Sequence, residues 1–449
     1  MRTALVRSYS AEEKFEFEEP LGAEALCGYL RANGQTCAVF DRQLDRRIGR
    51  DTLAAIRAYN PDVVGFSLMA RHEVWDALRV LQLLHDGRRR FCAGGLYVTG
   101  HMEQARAQFP ADTYLMRGMG EKQLLAFVTG EACEPITPDE WAMASRDNMG
   151  DYLAHGGTIN IRSSIGCFGQ CTFCLTPSLP NGESRWQGRS VEQVADEMAT
   201  LAQTHPPIFN FVDDTFGTVE RVLALGEALK RRKIRAGYSL EMRGVELLRA
   251  DDETLRRMRD GGLCWLFVGL ESLNTATLSA WRKPQDPDVL LAMIERCRKA
   301  DIGMATGYIL WHAAQTPQDA REEMKRLHEH GLFSVKTALS RMGVFPGTQL
   351  YAAYGGSLRQ TAEPMSPEAE ATYATLSEKL DPLYPLWFRA AVRITNAVCR
   401  DFVYGTNAAA PLWKLSQEMN ELCYHIVFDG YVMTRDELAT LEARLDASF

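Results

Sequence analysis

The stretch GTINIRSSIGCFGQCTFC, residues 157–174, joins an apolar, strand-like run to a glycine-containing loop with three cysteines. Cys167, Cys171 and Cys174 are separated by three residues and then two, with no fourth cysteine or histidine close by. A structural zinc site normally takes four ligands, and a disulfide would leave one thiol unpaired. Three thiolates in a short loop can instead bind three irons of a 4Fe-4S cluster, which leaves the fourth iron open to another ligand.

Strand-like and helical segments alternate on the C-terminal side of this loop. After the run at 157–166, the strand-like runs are IFNFVDDTF (208–216), RAGYSLEMR (235–243), CWLFVGLES (264–272), IGMATGYIL (302–310) and FSVKTALSRM (333–342). Strands that alternate with helices are typical of a β/α barrel. We therefore predict a partial (β/α)6 TIM barrel over residues 157–360, with the functional residues at the carboxyl ends of its strands.

An earlier alternating series occupies residues 1–135. Its strand-like runs are TALVRSY, TCAVFDRQ, DVVGFSLM, FCAGGLYV and TYLMRGMG, and helical segments connect them. Short apolar runs joined by helices predict an α/β, doubly wound, Rossmann-like parallel sheet that binds ligands at the carboxyl ends of its strands. A linker follows at 136–156. An aromatic-rich helical region at 361–449 is expected to pack on the barrel and to close its mouth.

Composition narrows the class of protein. The 449 residues are 46% hydrophobic and 24% charged, with a formal net charge of -8, which predicts an ordinary globular protein without a nucleic-acid partner. The N-terminus MRTALVRSYS lacks a signal-peptide pattern, and no apolar run is long enough for a membrane span. We expect a cytoplasmic location, no membrane partner and a small-molecule substrate. The eleven cysteines are then expected to be buried thiols or ligands rather than disulfides.

The cysteine spacing at the first barrel strand resembles that of the radical S-adenosylmethionine (SAM) superfamily, including the aromatic Phe173 before the last cysteine. Later stretches resemble landmarks of the subgroup with an N-terminal cobalamin-binding-type domain: FVDDTF (211–216), LEMRGVELL (240–248), GLESLNTATLSAWRK (269–283) and FPGTQLY (345–351). The resemblance implies that the open iron chelates SAM. It also implies reductive cleavage to a 5'-deoxyadenosyl radical, which takes hydrogen from an unactivated carbon, with electrons from a flavodoxin-like protein or a chemical reductant.

The resemblance also suggests roles for side chains at the predicted strand ends. Asp213 and Asp214 fall where the methionine amino group is contacted, and the planar guanidinium of Arg243 suits the methionine carboxylate. Glu271 and Ser272 are candidates for the ribose hydroxyls or the amino group. Glu183 and Glu241 are candidates for substrate contacts, and with Asp213 and Asp214 they form the set of possible catalytic carboxylates. Each has a structural alternative, such as strand-end capping. Trp311 is expected to pack in the core, and His312 is equally compatible with packing or a substrate wall.

The N-terminal domain resembles the cobalamin-binding domain at NPDVVGFS (60–67), AGGLYVTG (93–100) and RGMGEKQLLAF (117–127). It contains no Asp-x-His-x-x-Gly segment, so no histidine of that type would bind cobalt. Met119 replaces a glutamate of the usual pattern, and the loop LMARHEVW (68–75) is bulky and charged where small residues are common. These departures make cobalamin binding doubtful.

Without cobalamin, radical chemistry alone must complete the reaction. The chain then resembles radical dehydratases that deoxygenate aminoglycoside sugars such as paromamine in antibiotic biosynthesis, in which a carboxylate serves as general base. A lyase reaction of this kind, with a separate reductase acting later in the pathway, is the preferred prediction. The alternative is a cobalamin-dependent radical SAM C-methyltransferase. A non-catalytic iron-sulfur module is a minor alternative, because such a module needs no SAM contacts.

Overall fold

The computed structural model describes residues 1–10, 19–132, 134–355 and 362–447. The chain forms two compact units. The first comprises Met1–Asn160 and Leu175–Arg189, and the second comprises Ile161–Cys174 and Ser190–Phe449. The boundary at 160 lies close to the predicted start of the barrel at 157, whereas the return of residues 175–189 to the first unit has no signal in the sequence. The boundary predicted at 360 and 361 lies outside the described residues.

The first unit is the predicted doubly wound α/β domain. Its strands pair in parallel in the order β2-β1-β3-β4-β5. The strands are β1 (Arg2–Arg7), β2 (Thr36–Asp41), β3 (Val63–Ser67), β4 (Arg90–Gly94) and β5 (Tyr114–Leu115); the helices are α1 (Leu21–Ala32), α2 (Arg42–Ile48), α3 (Thr52–Tyr59), α4 (Val74–Leu84), α5 (Leu96–Gly100), α6 (Met102–Gln108), α7 (Glu121–Thr129) and α8 (Met149–Ala154).

Both faces of this sheet are buried. Along β1, Ala4 and Val6 pack in one hydrophobic cluster with Phe66, while Leu5 packs in the other with Val39. Alternate residues of a strand point to opposite faces, so a continuous apolar run is what a sheet covered on both sides requires. The pattern read as strand at FCAGGLYV ends earlier, because Gly95 has a φ of 96° and residues from Leu96 onward are helical.

The segment 136–156, predicted as a linker, packs within the first unit. The Arg31 guanidinium lies 2.6 Å from the carboxylate of Asp147, and the Ser145 N–H donates to the carbonyl of Glu24 at 3.0 Å. A Cβ on Gly28 would lie 1.9 Å from the carbonyl oxygen of Met143, so this close approach requires glycine. The segment is therefore an integral part of the first unit.

The second unit contains the predicted partial barrel. Its sheet has the order β12-β11-β10-β9-β6. The strands of this sheet are β6 (Ile159–Ile161), β9 (Ile208–Phe211), β10 (Gly237–Met242), β11 (Leu263–Glu271) and β12 (Gly303–Tyr308). Two short strands, β7 (Ser164–Ile165) and β8 (Gln187–Gly188), lie outside it. The helices up to residue 353 are α9 (Val191–Leu201), α10 (Val219–Arg231), α11 (Gly244–Leu247), α12 (Asp252–Asp260), α13 (Thr275–Ala280), α14 (Pro287–Lys299), α15 (Pro317–Glu329), α16 (Val335–Ala338) and α17 (Gln349–Ala353).

The sixth predicted strand, FSVKTALSRM, is not a strand of this sheet. Residues 335–338 form helix α16, which begins where the Ser334 hydroxyl accepts from the Thr337 N–H at 3.2 Å and the Thr337 hydroxyl accepts from the Ser334 N–H at 2.7 Å. This reciprocal capping outweighs the strand propensity of the segment. Near the end of this segment, Arg341 forms an isolated β-bridge with Trp311, which is part of the pairing expected for a sixth strand.

The C-terminal region is helical, as predicted. Its helices are α18 (Pro367–Leu380), α19 (Tyr384–Tyr404), α20 (Ala409–Phe428) and α21 (Arg435–Ala447). Among the helices formed by the described residues, none is long and apolar enough to cross a membrane.

The C-terminal end of helix α19 packs at the amino ends of the strands. Its Cys399 packs with Ile208, the first residue of β9, and with Cys264 near the start of β11. The guanidinium of Arg235, just before β10, donates to the carbonyl of Phe402 at 2.6 Å and 2.9 Å. This end of the helix therefore packs on the barrel, as expected, at the opposite end of the strands from the cysteine loop.

Candidate active site

The cysteine loop is held at both of its sides by backbone hydrogen bonds. The Thr172 N–H donates to the carbonyl of Trp281 at 3.1 Å, and the Thr172 carbonyl accepts from the Leu350 N–H at 2.9 Å. Trp281 follows helix α13, and Leu350 belongs to α17. The side chain of Phe173 packs edge-to-face on Trp281, with ring centroids 5.6 Å apart. Residues far apart in sequence therefore fix the loop before any ligand binds.

The three thiols at this loop fit the cluster predicted from their spacing. Cys167, Cys171 and Cys174 are all half-buried. Burial raises the pKa of Cys167 and of Cys171; the Gly169 N–H and Arg243 oppose the rise at Cys167, and Lys283 opposes it at Cys171. Nearby cations favour the thiolates that bind iron. In the described parts of the chain, no three His, Cys, Asp or Glu side chains converge on a single metal ion.

Asp213 and Asp214 follow β9 and have different environments. The buried Asp213 carboxylate accepts from the Ser163 N–H at 2.7 Å, the Ser163 hydroxyl at 2.5 Å and the Ser164 N–H at 2.9 Å. Burial raises the pKa of Asp213 to about 6, against these hydrogen bonds. Asp213 therefore anchors the chain that leads into the cysteine loop, which agrees with its structural alternative, and a SAM contact for it stays a prediction.

Asp214 remains at the surface of the site. Its carboxylate is exposed, and Oδ2 accepts from the Gly166 N–H at 2.9 Å. Gly166 is the first residue of the cysteine loop and has a φ of 79°. Asp214 is thus placed beside the loop, as predicted, and a ligand contact for it stays a prediction.

Arg243 and Glu241 lie at the carboxyl end of β10. A Cβ built on Gly169 would lie 3.4 Å from Arg243 Nε and 3.5 Å from Cys167 Sγ, so the guanidinium and this thiol meet at the same glycine. Glu241 is exposed to solvent. The protein around its carboxylate raises the pKa of Glu241 to about 7, with Lys336 opposing the rise. Ligand contacts for Arg243 and Glu241 stay predictions.

Glu271 ends β11 in an unusual backbone conformation, with a φ of 64°. Its carboxylate forms a largely buried ion pair with Lys283, at 2.7 Å. A Cβ on Gly269 would lie 2.1 Å from Glu271 Oε1 and 2.4 Å from Lys283 Nζ, so only glycine leaves room for this pair. Left-handed backbone at a non-glycine residue is costly and is frequent at functional sites. The carboxylate of Glu271 is therefore held in place by its ion pair with Lys283.

Ser272 is fully buried, and its hydroxyl accepts from the Asn274 N–H at 3.0 Å. This hydrogen bond fixes the turn into α13 and gives Ser272 a structural role, and a ligand contact for it stays a prediction. Trp311 is also fully buried, as expected for a residue that packs in the core, and its indole N–H donates to the carbonyl of Ala338 at 2.8 Å. His312 lies against Trp281, with ring centroids 5.0 Å apart, and burial lowers its pKa.

Glu183 belongs to the first unit and lies against the loop after β5. Its Oε1 accepts from the Met119 N–H at 2.9 Å. A Cβ on Gly118, whose φ is 76°, would lie 2.4 Å from the same oxygen. Glu183 thus supports the GMGE turn, and a substrate contact for it stays a prediction.

The carboxyl edge of the first unit's sheet exposes large apolar side chains. Met69, just after β3, is 62% exposed, and Trp75, in the first turn of α4, is 81% exposed. Leu96, after β4, is 38% exposed, and a Cβ on Gly95 would lie 2.4 Å from the carbonyl oxygen of Leu68. An apolar patch at this edge suits a large, flat, partly apolar ligand. The bulky loop that made cobalamin doubtful therefore supplies a surface that fits a corrin.

Two lysines of the site escaped the sequence analysis. Lys283 lies within the quoted stretch GLESLNTATLSAWRK, but its pairing with Glu271 depends on the turn after β11. Lys336 lies in α16, with Nζ 5.0 Å from the centroid of the Phe267 ring. Reading residues 333–342 as a strand removed any reason to place Lys336 at the mouth.

Two stretches of the chain match described domain families. The radical SAM superfamily matches residues 161–327, and the B12 binding domain matches residues 15–128. The hopanoid C-3 methylase of Methylococcus capsulatus is 26% identical over 326 residues, which cover 65% of this chain and 61% of that protein. The bacteriochlorophyllide d C-8(2)-methyltransferase of Chlorobaculum tepidum is 24% identical over 332 residues, which cover 69% and 72%. The first alignment thus spans less than two thirds of that relative.

Solved structures share the fold at low sequence identity. The cobalamin-dependent SAM radical enzyme OxsB, with aqua-cobalamin bound, matches with a TM-score of 0.72 and 14% identity over 100% of this chain and 79% of that one. The radical SAM methyltransferase TsrM from Kitasatospora setae, with cobalamin and a [4Fe-4S] cluster bound, matches with a TM-score of 0.64 and 17% identity over 78% and 76%. Residues 161–327 of this chain thus match the radical SAM superfamily, residues 15–128 match the B12 binding domain, and the fold is shared with these two solved structures.

Proposed function

We propose that the protein is a cobalamin-dependent radical SAM methyltransferase that methylates carbon. The observation that carries the proposal is the apolar edge formed by Met69, Trp75 and Leu96 in a B12-type domain, in a chain that also holds the three-cysteine loop. Two relatives that align with 65% and 69% of this chain are a methylase and a methyltransferase. They favour the alternative reading of the sequence over the preferred dehydratase, for which none of these comparisons gives support.

When bound, a 4Fe-4S cluster supplies the electron for reductive SAM cleavage, and cobalamin supplies a carrier for the methyl group. The chain's own residues prepare the site for them. Cys167, Cys171 and Cys174 would hold three irons of the cluster. Asp213 keeps the start of the loop rigid through its hydrogen bonds to Ser163 and Ser164.

Cations beside the loop balance the negative charge of the thiolates. Arg243 meets Cys167 at Gly169, and Lys283 lies near Cys171 while paired with Glu271. On the first unit, Met69 and Trp75 would cover one side of the corrin, and Glu183 would keep the turn at Met119 in place. An external low-potential donor, such as a flavodoxin-like protein, is proposed as the source of electrons.

The test is to produce the protein with hydroxocobalamin under anaerobic conditions and to reconstitute its cluster. We expect stoichiometric corrin bands in the visible spectrum and, after reduction with dithionite in the presence of SAM carrying a trideuterated methyl group, deuterated methylcobalamin in the protein extract. The Cys171→Ala variant is expected to retain corrin and to form no 5'-deoxyadenosine. Protein that binds no corrin would refute the proposal and return the dehydratase to first place.

A further inference from the structure

Two buried cysteines of the second unit form a thiol pair at the end of the sheet opposite the cysteine loop. Cys264, near the start of β11, and Cys399, on α19, pack together with Ile208 in one cluster. A hydrogen bond links the two thiols. The backbone of α19 approaches the sheet closely here, because a Cβ built on Gly237 of β10 would lie 2.7 Å from the Cys399 carbonyl oxygen. Two thiols in contact on neighbouring elements meet the first geometric requirement of a disulfide.

A guanidinium contacts one of the two sulfurs. Arg259 Nη1 donates to Cys264 Sγ at 3.0 Å, while Nε and Nη2 donate to the carboxylate of Asp301 at 3.1 Å and 2.6 Å, which holds the guanidinium in place. Burial opposes ionisation, but the hydrogen bond from Cys399 and the charge of Arg259 together lower the pKa of Cys264. The same hydrogen bond, together with burial, raises the pKa of Cys399. Cys264 is therefore the nucleophile of the pair, because the thiolate is the form that attacks a disulfide bond.

A cavity of about 550 Å³ lies beside the pair. Its walls include Gly261, three residues before Cys264. They also include Phe402, three residues after Cys399 in α19. The guanidinium of Arg259 lies over the Phe402 ring, 4.6 Å from its centroid, and contacts the Cys264 sulfur. One side chain therefore separates the wall of the cavity from the nucleophile, and we expect a small reagent to approach from this side.

We propose that Cys264 and Cys399 form a redox modification site, which a low-molecular-weight disulfide converts to an intramolecular disulfide. The Cys264 thiolate attacks one sulfur of the reagent, which gives a mixed disulfide and releases a first thiolate that takes up a proton from water. The Cys399 sulfur then attacks Cys264 Sγ, the mixed disulfide breaks, and the Cys399 proton goes to the second leaving thiolate. The two cysteines lose two electrons in total, and the reagent is reduced to two thiols. The new bond ties α19 to β11, so this inference goes beyond the proposed function and does not depend on it.

The experiment exposes the anaerobic, cluster-loaded full chain to bis(2-hydroxyethyl) disulfide. Samples are quenched over time with N-ethylmaleimide under denaturing conditions, and joined peptides are identified by mass spectrometry. The variants are Cys399→Ser, which removes the second thiol, and Arg259→Met, which removes the guanidinium. The matched controls are Cys423→Ser, at a buried cysteine of α20 outside this cluster, and Arg257→Met, at an exposed arginine of the same helix as Arg259.

We expect a peptide that joins Cys264 to Cys399 in the wild type and in both controls, and its cleavage by dithiothreitol. In Cys399→Ser, the mixed disulfide at Cys264 should accumulate instead. Arg259→Met should slow formation of the joined peptide at least about threefold, because a thiolate fraction about tenfold smaller is offset in part by the greater nucleophilicity of a more basic sulfur. Absence of the joined peptide from the wild type overturns the inference whether or not the variants fold. An unchanged or faster reaction in Arg259→Met also overturns it.

Discussion

Replacing Trp75 with alanine should weaken cobalamin binding without affecting the cluster. The side chain is 81% exposed at the carboxyl edge of the first unit's sheet. A corrin that covers about 100 Å² of its apolar surface gains about 2.5 kcal/mol at about 25 cal/mol per Å². Losing that contact corresponds to about a 60-fold increase in Kd. The fold should be little affected, because so exposed a ring makes few contacts within the protein.

The assay is titration of the corrin-free protein with hydroxocobalamin, followed by its visible spectrum. The matched control is Leu83→Ala, because Leu83 is also exposed, at 45%, and belongs to the same helix. Helix α4 starts after β3 at the carboxyl edge of the sheet and ends before β4 at the amino edge, so Leu83 should not contact the corrin. Equal affinities for Trp75→Ala, Leu83→Ala and the wild type would show that the apolar edge is not the binding surface.

Three further predictions concern the second unit. Cys171→Ala should lower the iron content and the 400 nm absorbance after reconstitution, whereas Cys423→Ala, at a buried position in α20, should preserve both. Burial raises the pKa of Asp213 to about 6, so the folded state binds this proton more tightly than the unfolded state does. As pH falls from about 6 to about 4, the free energy of unfolding of the wild type should therefore rise by up to about 3 kcal/mol more than that of Asp213→Asn. Urea titrations in which both proteins show the same pH dependence would contradict this. Lys283→Gln and Glu271→Gln each remove one charge of the ion pair near Cys171. In EPR redox titrations, Lys283→Gln should therefore make the midpoint potential of the cluster more negative, and Glu271→Gln should make it less negative. Shifts of the same sign in both variants would indicate a purely structural effect.

The sequence sufficed for features whose signal is local. The spacing of the cysteines predicted a loop of three thiols at the first barrel strand, and the continuous apolar runs predicted a sheet buried on both faces. The prediction of a sixth strand was wrong because a capping interaction outweighed the strand propensity of the segment. The hydroxyls of Ser334 and Thr337 start a helix within a stretch rich in strand-forming residues. That single error also concealed Lys336.

Adjacent acidic residues could not be told apart from the sequence. Asp213 and Asp214 have the same chemistry, and the pattern FVDD does not show which one turns inward. The structure separates them through three hydrogen bonds that only Asp213 forms with Ser163 and Ser164. The return of residues 175–189, including Glu183, to the first unit was not predicted, because a long-range return of this kind leaves no periodicity in the sequence.

The charged groups of the second unit differ in how far the protein engages them. Asp213 and the Glu271–Lys283 pair are enclosed, and hydrogen bonds and ion pairing offset part of the cost of burying their charges. Glu241 is exposed, and Lys336 is half-buried with its Nζ 5.0 Å from the centroid of the Phe267 ring. Replacement of Asp213 should therefore affect stability and cluster assembly first, whereas replacement of the exposed Glu241 should change stability little.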